Sequence, residues 1–207
     1  MKPVSEISLL GLVYFMVLPV MLTLFGGCGD KYVPKPVGYL RIDPIGGNYR
    51  LFDDMRFPLV FDINEGTIAL VDSVHKGRAW VNIIYPQYNA TVYCSYLKLS
   101  ADNKVRLMEE SRNLVYVHAR RADNIDAVLY GDTLSGVEAT LYRLTGGAAT
   151  PLQFTANDGK SFLFRGALYF NSEVNSDSVA PVVEYIEGDL VRLIESLRKK
   201  QHGTIGN

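Results

Sequence analysis

The chain has 207 residues, with 21 basic and 22 acidic side chains and a formal net charge of −1 at pH 7. This balance gives no electrostatic argument for binding nucleic acid or an anionic membrane surface. A chain with two cysteines has no disulfide framework, and its 13 tyrosines and nine phenylalanines favour β-structure.

The N-terminus has the pattern of an export signal. After Met1-Lys2, residues 7–25 are almost continuously apolar, and the run ends in Gly26-Gly27, where a peptidase needs small side chains. Cys28 follows directly, and this arrangement resembles a bacterial lipoprotein signal. The resemblance implies cleavage before Cys28 and acylation of that residue with fatty acids such as palmitate. Two or three acyl chains anchor a protein firmly to a membrane.

The alternative is an uncleaved N-terminal helix followed by an incidental cysteine. Both interpretations place the domain outside the cytoplasm, on a membrane. The predicted organisation is a signal peptide at 1–27, a lipidated tether at 28–36, a single domain at 37–201 and a C-terminal tail at 202–207.

The first half of the domain is predicted to be rich in strands. Alternating apolar segments are separated by turns that contain Asn, Asp, Gly and Pro. The predicted strands are Gly38–Asp43, Tyr49–Phe52, Leu59–Ile63, Ile68–Val71, Ala79–Tyr85 and Ala90–Leu99.

Residues 103–129 contain no Gly or Pro, which predicts one long helix or a helix broken near Arg120. Its predicted apolar positions are Leu107, Leu114, His118, Ala122, Ile125 and Leu129. Strands follow at 135–144, 151–156 and 162–170, and the last of these is apolar enough to be central. A second amphipathic helix is predicted over 178–197, followed by a basic run that we interpret as structural.

This order predicts an α+β fold, with an antiparallel β-sheet covered by two amphipathic helices. The order also resembles the Mog1/PsbP-like α/β/α sandwich, in which a long helix precedes a three-strand meander and a closing helix.

No motif for catalysis, metal binding or cofactor binding is present. The histidines at 75, 118 and 202 are too scattered for a metal site, and the chain has no phosphate-binding loop, dinucleotide-binding motif or nucleophile elbow. The sequence therefore predicts no catalytic residue, no metal and no cofactor.

Five residues remain candidates for a structural or interaction role. His118 is either a titrating residue in a cleft or a buried imidazole with a polar partner. Arg112 is similarly ambiguous, and Arg165 interrupts an apolar strand, so it needs a carboxylate such as Glu110. Tyr85 and Tyr88 belong to a tyrosine-rich stretch that suits either strand packing or a partner-facing surface. We interpret Cys94 as a small buried hydrophobic residue.

Six segments in order resemble the gliding-motility lipoprotein GldD family of Bacteroidetes. They are Pro34–Ile42, Trp80–Pro86, Ala90–Tyr96, Glu110–His118, Pro151–Phe154 and Phe164–Phe170. The resemblance implies a non-enzymatic, membrane-anchored protein of the cell envelope, and we expect its domain to face the periplasm. It also implies a role in gliding motility, a link to the type IX secretion machinery, and other envelope proteins as partners. It supplies no catalytic residues.

Two other classes of function stay open. One is a periplasmic module that holds a small ligand between sheet and helix. The other is a hydrolase with dispersed catalytic residues, in which His118, Arg112 and a carboxylate would converge in an open cleft.

Overall fold

A computed structural model describes residues 47–132, 136–172 and 176–200, except for the side chains of residues 118, 119, 132, 176 and 177. These residues lie within one of the two units into which the chain divides, residues 37–207. Four predicted segments lie wholly or largely outside the described residues: the signal peptide at 1–27, the tether at 28–36, the strand Gly38–Asp43 and the tail at 202–207.

The described residues form ten strands and two α-helices. In chain order they are β1 (Tyr49–Phe52), β2 (Leu59–Asn64), β3 (Ile68–His75), β4 (Arg78–Tyr85), β5 (Ala90–Lys98), α1 (Lys104–His118), β6 (Ala122–Asp132), β7 (Val137–Gly146), β8 (Leu152–Asn157), β9 (Phe162–Phe170), α2 (Ser176–Ser196) and β10 (Arg198–Lys199).

Seven strands form the main sheet in the order β3-β4-β5-β9-β8-β7-β6, and a smaller sheet has the order β1-β2-β10. Every strand pair within the described residues is antiparallel. Helix α1 packs on one face of the main sheet, and α2 with the small sheet packs on the other. The predicted α+β class, an antiparallel sheet with two helices, is confirmed.

Strand β9 is the middle strand of the main sheet, as its apolar sequence predicts. Its side chains alternate between the two faces. Phe162, Phe164 and Leu168 join the large core beneath α2, whereas Leu163 joins a small cluster beneath α1. Arg165, on the same face as Leu163, interrupts the apolar pattern there.

The large core lies between the main sheet, β2 and α2. Six apolar residues of α2 and Leu197 just after it are buried in this core: Val182, Val183, Ile186, Leu190, Leu193, Ile194 and Leu197. Aromatic rings link the two sheets, since Phe61 stacks on Phe164 with ring centroids 5.6 Å apart. Large side chains therefore fill the space between the two sheets.

The predicted helix over 103–129 is correct only in its first half. The chain leaves α1 through a short 3-10 turn at Ala119–Arg121 and then forms β6. Ile125 and Leu129 are four residues apart, a spacing that suits a helix, but residues an even number of positions apart also lie on one face of a strand. Pairing with β7 decided between the two, because β6 hydrogen-bonds along its length to that strand.

The buried positions of α1 also differ from the prediction. Leu107, Ser111 and Val115 are buried at intervals of four residues, whereas Leu114 is 36% exposed. Side chains four residues apart lie on one face of a helix, so the true stripe is offset by one position from Leu114. The helix therefore presents a narrower apolar face to the sheet than the sequence predicts.

The basic run after α2 is part of the fold. Arg198 and Lys199 form β10 and pair with β2. The ammonium group of Lys200 lies 2.6 Å from the Asp54 carbonyl oxygen and 2.6 Å from Asp53 Oδ1. These contacts fasten the end of α2 to the β1–β2 connection.

Candidate functional site

The structure divides the sequence-predicted site residues between the two faces of the main sheet. Tyr85 and Tyr88 contact the large core beneath α2, whereas Arg112 and Arg165 lie on the α1 side. The side chain of His118, the last residue of α1, is outside the described residues, as is Cys28. The structure thus brings the two tyrosines together on the α2 side of the sheet and places both arginines on the α1 side.

Tyr85 is buried and Tyr88 is half-buried, and their rings stack with centroids 6.5 Å apart. Tyr88 also meets Tyr185 of α2 edge to face at 5.7 Å. The rings therefore connect the end of β4 with α2. Such offset and edge contacts stabilise aromatic clusters beyond simple burial.

A buried carboxylate that the sequence analysis missed lies beside these tyrosines. Asp189 of α2 is 4% exposed, and its Oδ1 accepts hydrogen bonds from the Tyr49 hydroxyl at 2.8 Å and from Asn64 Nδ2 at 3.3 Å. Asn64 Nδ2 also donates to the Tyr185 hydroxyl at 2.8 Å. This polar network ties α2 to β1 and β2.

Burial shifts the pKa values in this network. It raises the pKa of Asp189 above its ordinary value, although the hydrogen bonds from Tyr49 and Asn64 oppose the shift. Burial, together with Asp189, raises the pKa of Tyr49 to about 12. Tyr85 is shifted upward for the same two reasons, so its pKa lies well above that of free tyrosine. Each shift favours the neutral form of its group.

Arg165 finds a hydroxyl rather than a carboxylate as its hydrogen-bond partner. Its Nε donates to Ser95 Oγ at 3.0 Å on the neighbouring strand β5. Burial lowers the pKa of Arg165, and the charge of Glu110 opposes that shift. Glu110 itself pairs with Arg106 one helical turn away at 3.2 Å. The predicted carboxylate is therefore near Arg165, but its ion pair is made with another residue.

A groove of 480 Å³ separates α1 from strands β6, β7 and β8. Apolar side chains such as Met108, Leu129 and Leu163 line it together with polar ones, among them Arg112 and Ser111. Ser111 Oγ is buried and has no hydrogen-bond partner in the part of the chain that the structure describes. A buried hydroxyl without a partner is costly, so this groove has one unsatisfied polar group in its wall.

A second groove, of 610 Å³, lies between the β7–β8 turn, the end of β9 and α2. Its wall includes the run Gly146-Gly147-Ala148-Ala149. Gly146 has a φ of 87°, and a Cβ there would lie 2.4 Å from Asp123 Oδ2, so both the backbone and the space require glycine. This groove was not predicted from the sequence.

The cysteine of β5 has no reactive character. Cys94 is a free, buried residue of the large core, as predicted, and burial raises the pKa of its thiol. The residues described in the structure contain no group of three or more His, Cys, Asp or Glu side chains placed to hold a metal ion.

The family model of the gliding motility lipoprotein GldD matches residues 29–199. The chain belongs to this family. The match extends from before β1 through β10, so the α+β domain described above is the family's domain. Membership gives the lipoprotein class, a membrane-anchored envelope location and an involvement in gliding motility.

A solved structure with a similar arrangement is the solution structure of cyanobacterial PsbP (CyanoP) from Synechocystis. It is 11% identical over 81% of this chain and 99% of that chain, with a TM-score of 0.41. A likeness this distant supports no inference about function. No curated protein is significantly similar to the chain. Neither helix in the described ranges is long and apolar enough to cross a membrane.

Proposed function

We propose that the protein is a lipid-anchored accessory component of the gliding motility and type IX secretion machinery. On this proposal its domain faces the periplasm and acts by contact with other envelope proteins, without an enzymatic step. The observation that carries the proposal is the family match over residues 29–199. The character of the described domain agrees with it, because its polar network around Asp189 is buried and holds elements of the fold together.

The anchor is assigned to Cys28 from the sequence alone, since small residues precede it at the end of an apolar run. Acyl chains contribute about 0.8 kcal/mol per buried CH₂, and two or more make attachment stable. Cells labelled with radioactive palmitate should yield labelled wild-type protein and unlabelled Cys28→Ala protein. Cys94→Ala is the matched control and should stay labelled, because Cys94 is buried in the core. Equal labelling of the Cys28→Ala protein would contradict the anchor.

One surface suited to partner contact is formed by α1 and the edge strand β6. Leu129 on β6 is 82% exposed, and Tyr116 and Val117 on α1 are also exposed. Scattered apolar side chains are common on surfaces. Here, however, α1 and β6 are consecutive elements, and β6 is the last strand of the main sheet. The outer edge of such a strand offers backbone hydrogen bonds to a partner.

Deletion of the gene followed by complementation tests this role. We expect loss of gliding or of type IX secretion in the deletion strain, and recovery with the wild-type gene but not with Cys28→Ala. Crosslinking in intact cells should join the wild-type protein to other envelope proteins. Recovery of the crosslinked sample solely as a free monomer, or full motility and secretion in the deletion strain, would contradict the proposal.

One observation favours a second candidate function, a ligand-binding lipoprotein module. The groove between α1 and the sheet has the 480 Å³ of a small-molecule site, and among the described residues the buried hydroxyl of Ser111 in its wall has no hydrogen-bond partner. A small ligand with both apolar and polar groups would fit these walls, because Arg112 and Glu138 line them together with Met108 and Leu129. Native mass spectrometry of the full chain should then show a retained small molecule, and Ser111→Ala should weaken its retention. Thr155→Val, on the sheet wall of the same groove, tests whether the effect is specific to Ser111.

A further inference from the structure

A second feature of the α1 side is a groove lined by basic side chains, where the β3–β4 turn meets the start of α1. It has a volume of 350 Å³. Four of the described residues that line it are basic and none is acidic: Lys76, Arg78, Lys98 and Arg106. This is a local departure from a chain whose charges are otherwise balanced.

The backbone of the turn places these cations together. Gly77 has a φ of 80°, and a Cβ at this position would lie 3.3 Å from Cβ of Lys98. Glycine therefore lets the Lys98 side chain cross directly over the turn. The Lys98 backbone N–H donates to the Gly77 carbonyl at 2.8 Å, which fixes β5 against the turn.

Three of the four cations of the groove have no acidic partner within the described part of the chain. Lys76, Arg78 and Lys98 form no ion pair there, and Arg106 pairs with Glu110 at 3.2 Å. Arg165 adds a further cation on the same face. Burial is the main cause of its lowered pKa, and the positive charge of Arg78 also lowers it. Like charges gathered in this way repel one another, and a bound anion would relieve the repulsion.

We propose that this basic groove binds a phosphate group. Guanidinium groups bond phosphate oxygens in pairs, and lysine ammonium groups add point charge. Arg106 has five N–H donors, so its bond to Glu110 leaves others for the ligand. A phosphate group suits a groove lined by four cations better than a carboxylate does, because it carries more charge and more acceptor oxygens. The site is independent of the proposed role in motility and secretion.

Trp80 provides a built-in reporter. It is the single tryptophan of the chain and lies on β4 two residues after Arg78, so both side chains are on the same face of the sheet. The full chain, purified in a nonionic detergent, would be titrated with inorganic phosphate in one arm and with dihexanoyl phosphatidylglycerol in the other. Trp80 fluorescence and titration calorimetry would follow binding. The two arms distinguish free phosphate from a lipid headgroup as the source.

The test compares two double variants with the same change of charge. Lys76→Gln with Lys98→Gln alters the groove, whereas Lys160→Gln with Lys199→Gln alters exposed lysines outside it. We expect saturable binding in at least one arm, weakened about tenfold or more in the groove variant, unchanged in the control and reduced by salt. No binding in either arm, or equal weakening in both variants, would overturn the proposal. Circular dichroism of all proteins verifies that the variants are folded.

Discussion

The two faces of the main sheet differ in how completely they are covered. On the α2 side, the helix, strand β2 and a group of phenylalanines form one large core, and the 610 Å³ groove lies beside the start of α2. On the α1 side of the described residues, the buried cluster is smaller and comprises Leu97, Leu99, Leu107 and Leu163, with Met108 at its margin. Both the basic groove and the groove that contains Ser111 lie on this second side. The comparison indicates that the α2 side, with the larger core, supplies most of the stability, whereas both grooves of the α1 side border a small core.

The difference begins in the alternation of single strands. In β9, the side chains directed toward α2 include Phe162 and Phe164, whereas the opposite face has Leu163 and Arg165. Burial of a large aromatic side chain contributes several times as much free energy as a partly exposed one. Packing a helix on a sheet face that is partly polar therefore contributes less free energy to stability. Helix α1, which packs on such a face, has a correspondingly short stripe of buried residues.

The largest effect on stability is expected from a substitution in the core on the α2 side of the main sheet. Phe164 is fully buried, and its ring contacts Phe57, Phe61 and Phe154 at 5.9, 5.6 and 5.3 Å. Phe164→Ala should lower the free energy of unfolding by about 3–5 kcal/mol, because it removes these contacts and leaves a cavity. Denaturant unfolding of the full chain in detergent measures the loss.

Leu129→Ala is the control on the α1 side of the main sheet and should change the unfolding free energy by less than about 0.5 kcal/mol. Similar losses in the two variants would show that the two faces contribute equally, and the comparison would then fail.

A smaller effect on stability, with a defined pH dependence, is expected from the polar network around Asp189 on the α2 side. Burial raises the pKa of Asp189 above 3.8 in the folded chain. The folded state therefore holds this proton more tightly than the unfolded state. The resulting stability is fully present below pH 3.8 and is lost as the pH rises through the folded pKa. Asp189→Asn should remove this part of the decline in unfolding free energy above pH 3.8.

Asp54→Asn provides a control of opposite sign. Hydrogen bonds from Arg56 hold the pKa of Asp54 at about 2, so its contribution is lost as the pH falls below 3.8. The two variants should thus change opposite sides of the stability profile. If the profiles of wild type and Asp189→Asn are parallel above pH 3.8, the carboxylate does not titrate as its burial requires.

How far the sequence predicts an element of the fold depends on how deeply that element is buried. Helix α2 was predicted correctly because its apolar residues recur at the helical period, and strand β9 because its residues are almost continuously apolar, as in a strand buried on both faces. Strand β6 was predicted as helix because it lies at the edge of the sheet and is mostly exposed. An exposed strand has no strict alternation, and the absence of Gly and Pro is equally compatible with a helix.

The site was less predictable, because its parts come from distant segments. Asp189 meets Tyr49 and Asn64 across more than a hundred residues of chain, and periodicity gives no information about such pairs. Lys98 reaches the basic groove because β4 and β5 are paired and Gly77 lies beneath it. Tyr85 and Arg165 were chosen from the sequence, but their partners depend on the register of neighbouring strands.

A substitution at Leu129, on the α1 side of the main sheet, should have the smallest effect on stability and the clearest effect on function. Leu129 is on the α1 side because it pairs with Thr140, which pairs with Thr155 and then with Arg165. Leu129→Glu should leave the unfolding free energy within about 0.5 kcal/mol of wild type. It should nevertheless impair complementation of the deletion strain and reduce crosslinking to envelope proteins, because a charge at the centre of a contact surface is costly to bury.

Val128→Glu is the matched control for that variant. Val128 precedes Leu129 on the same strand and is also exposed, but it is on the opposite face, opposite Leu141. If the α1 side is the contact surface, Val128→Glu should complement the deletion whereas Leu129→Glu should not. Equal complementation by both would remove this surface from the proposal. Equal failure, with both proteins folded and anchored, would instead implicate the edge of β6 itself, since a partner strand paired there would meet both side chains.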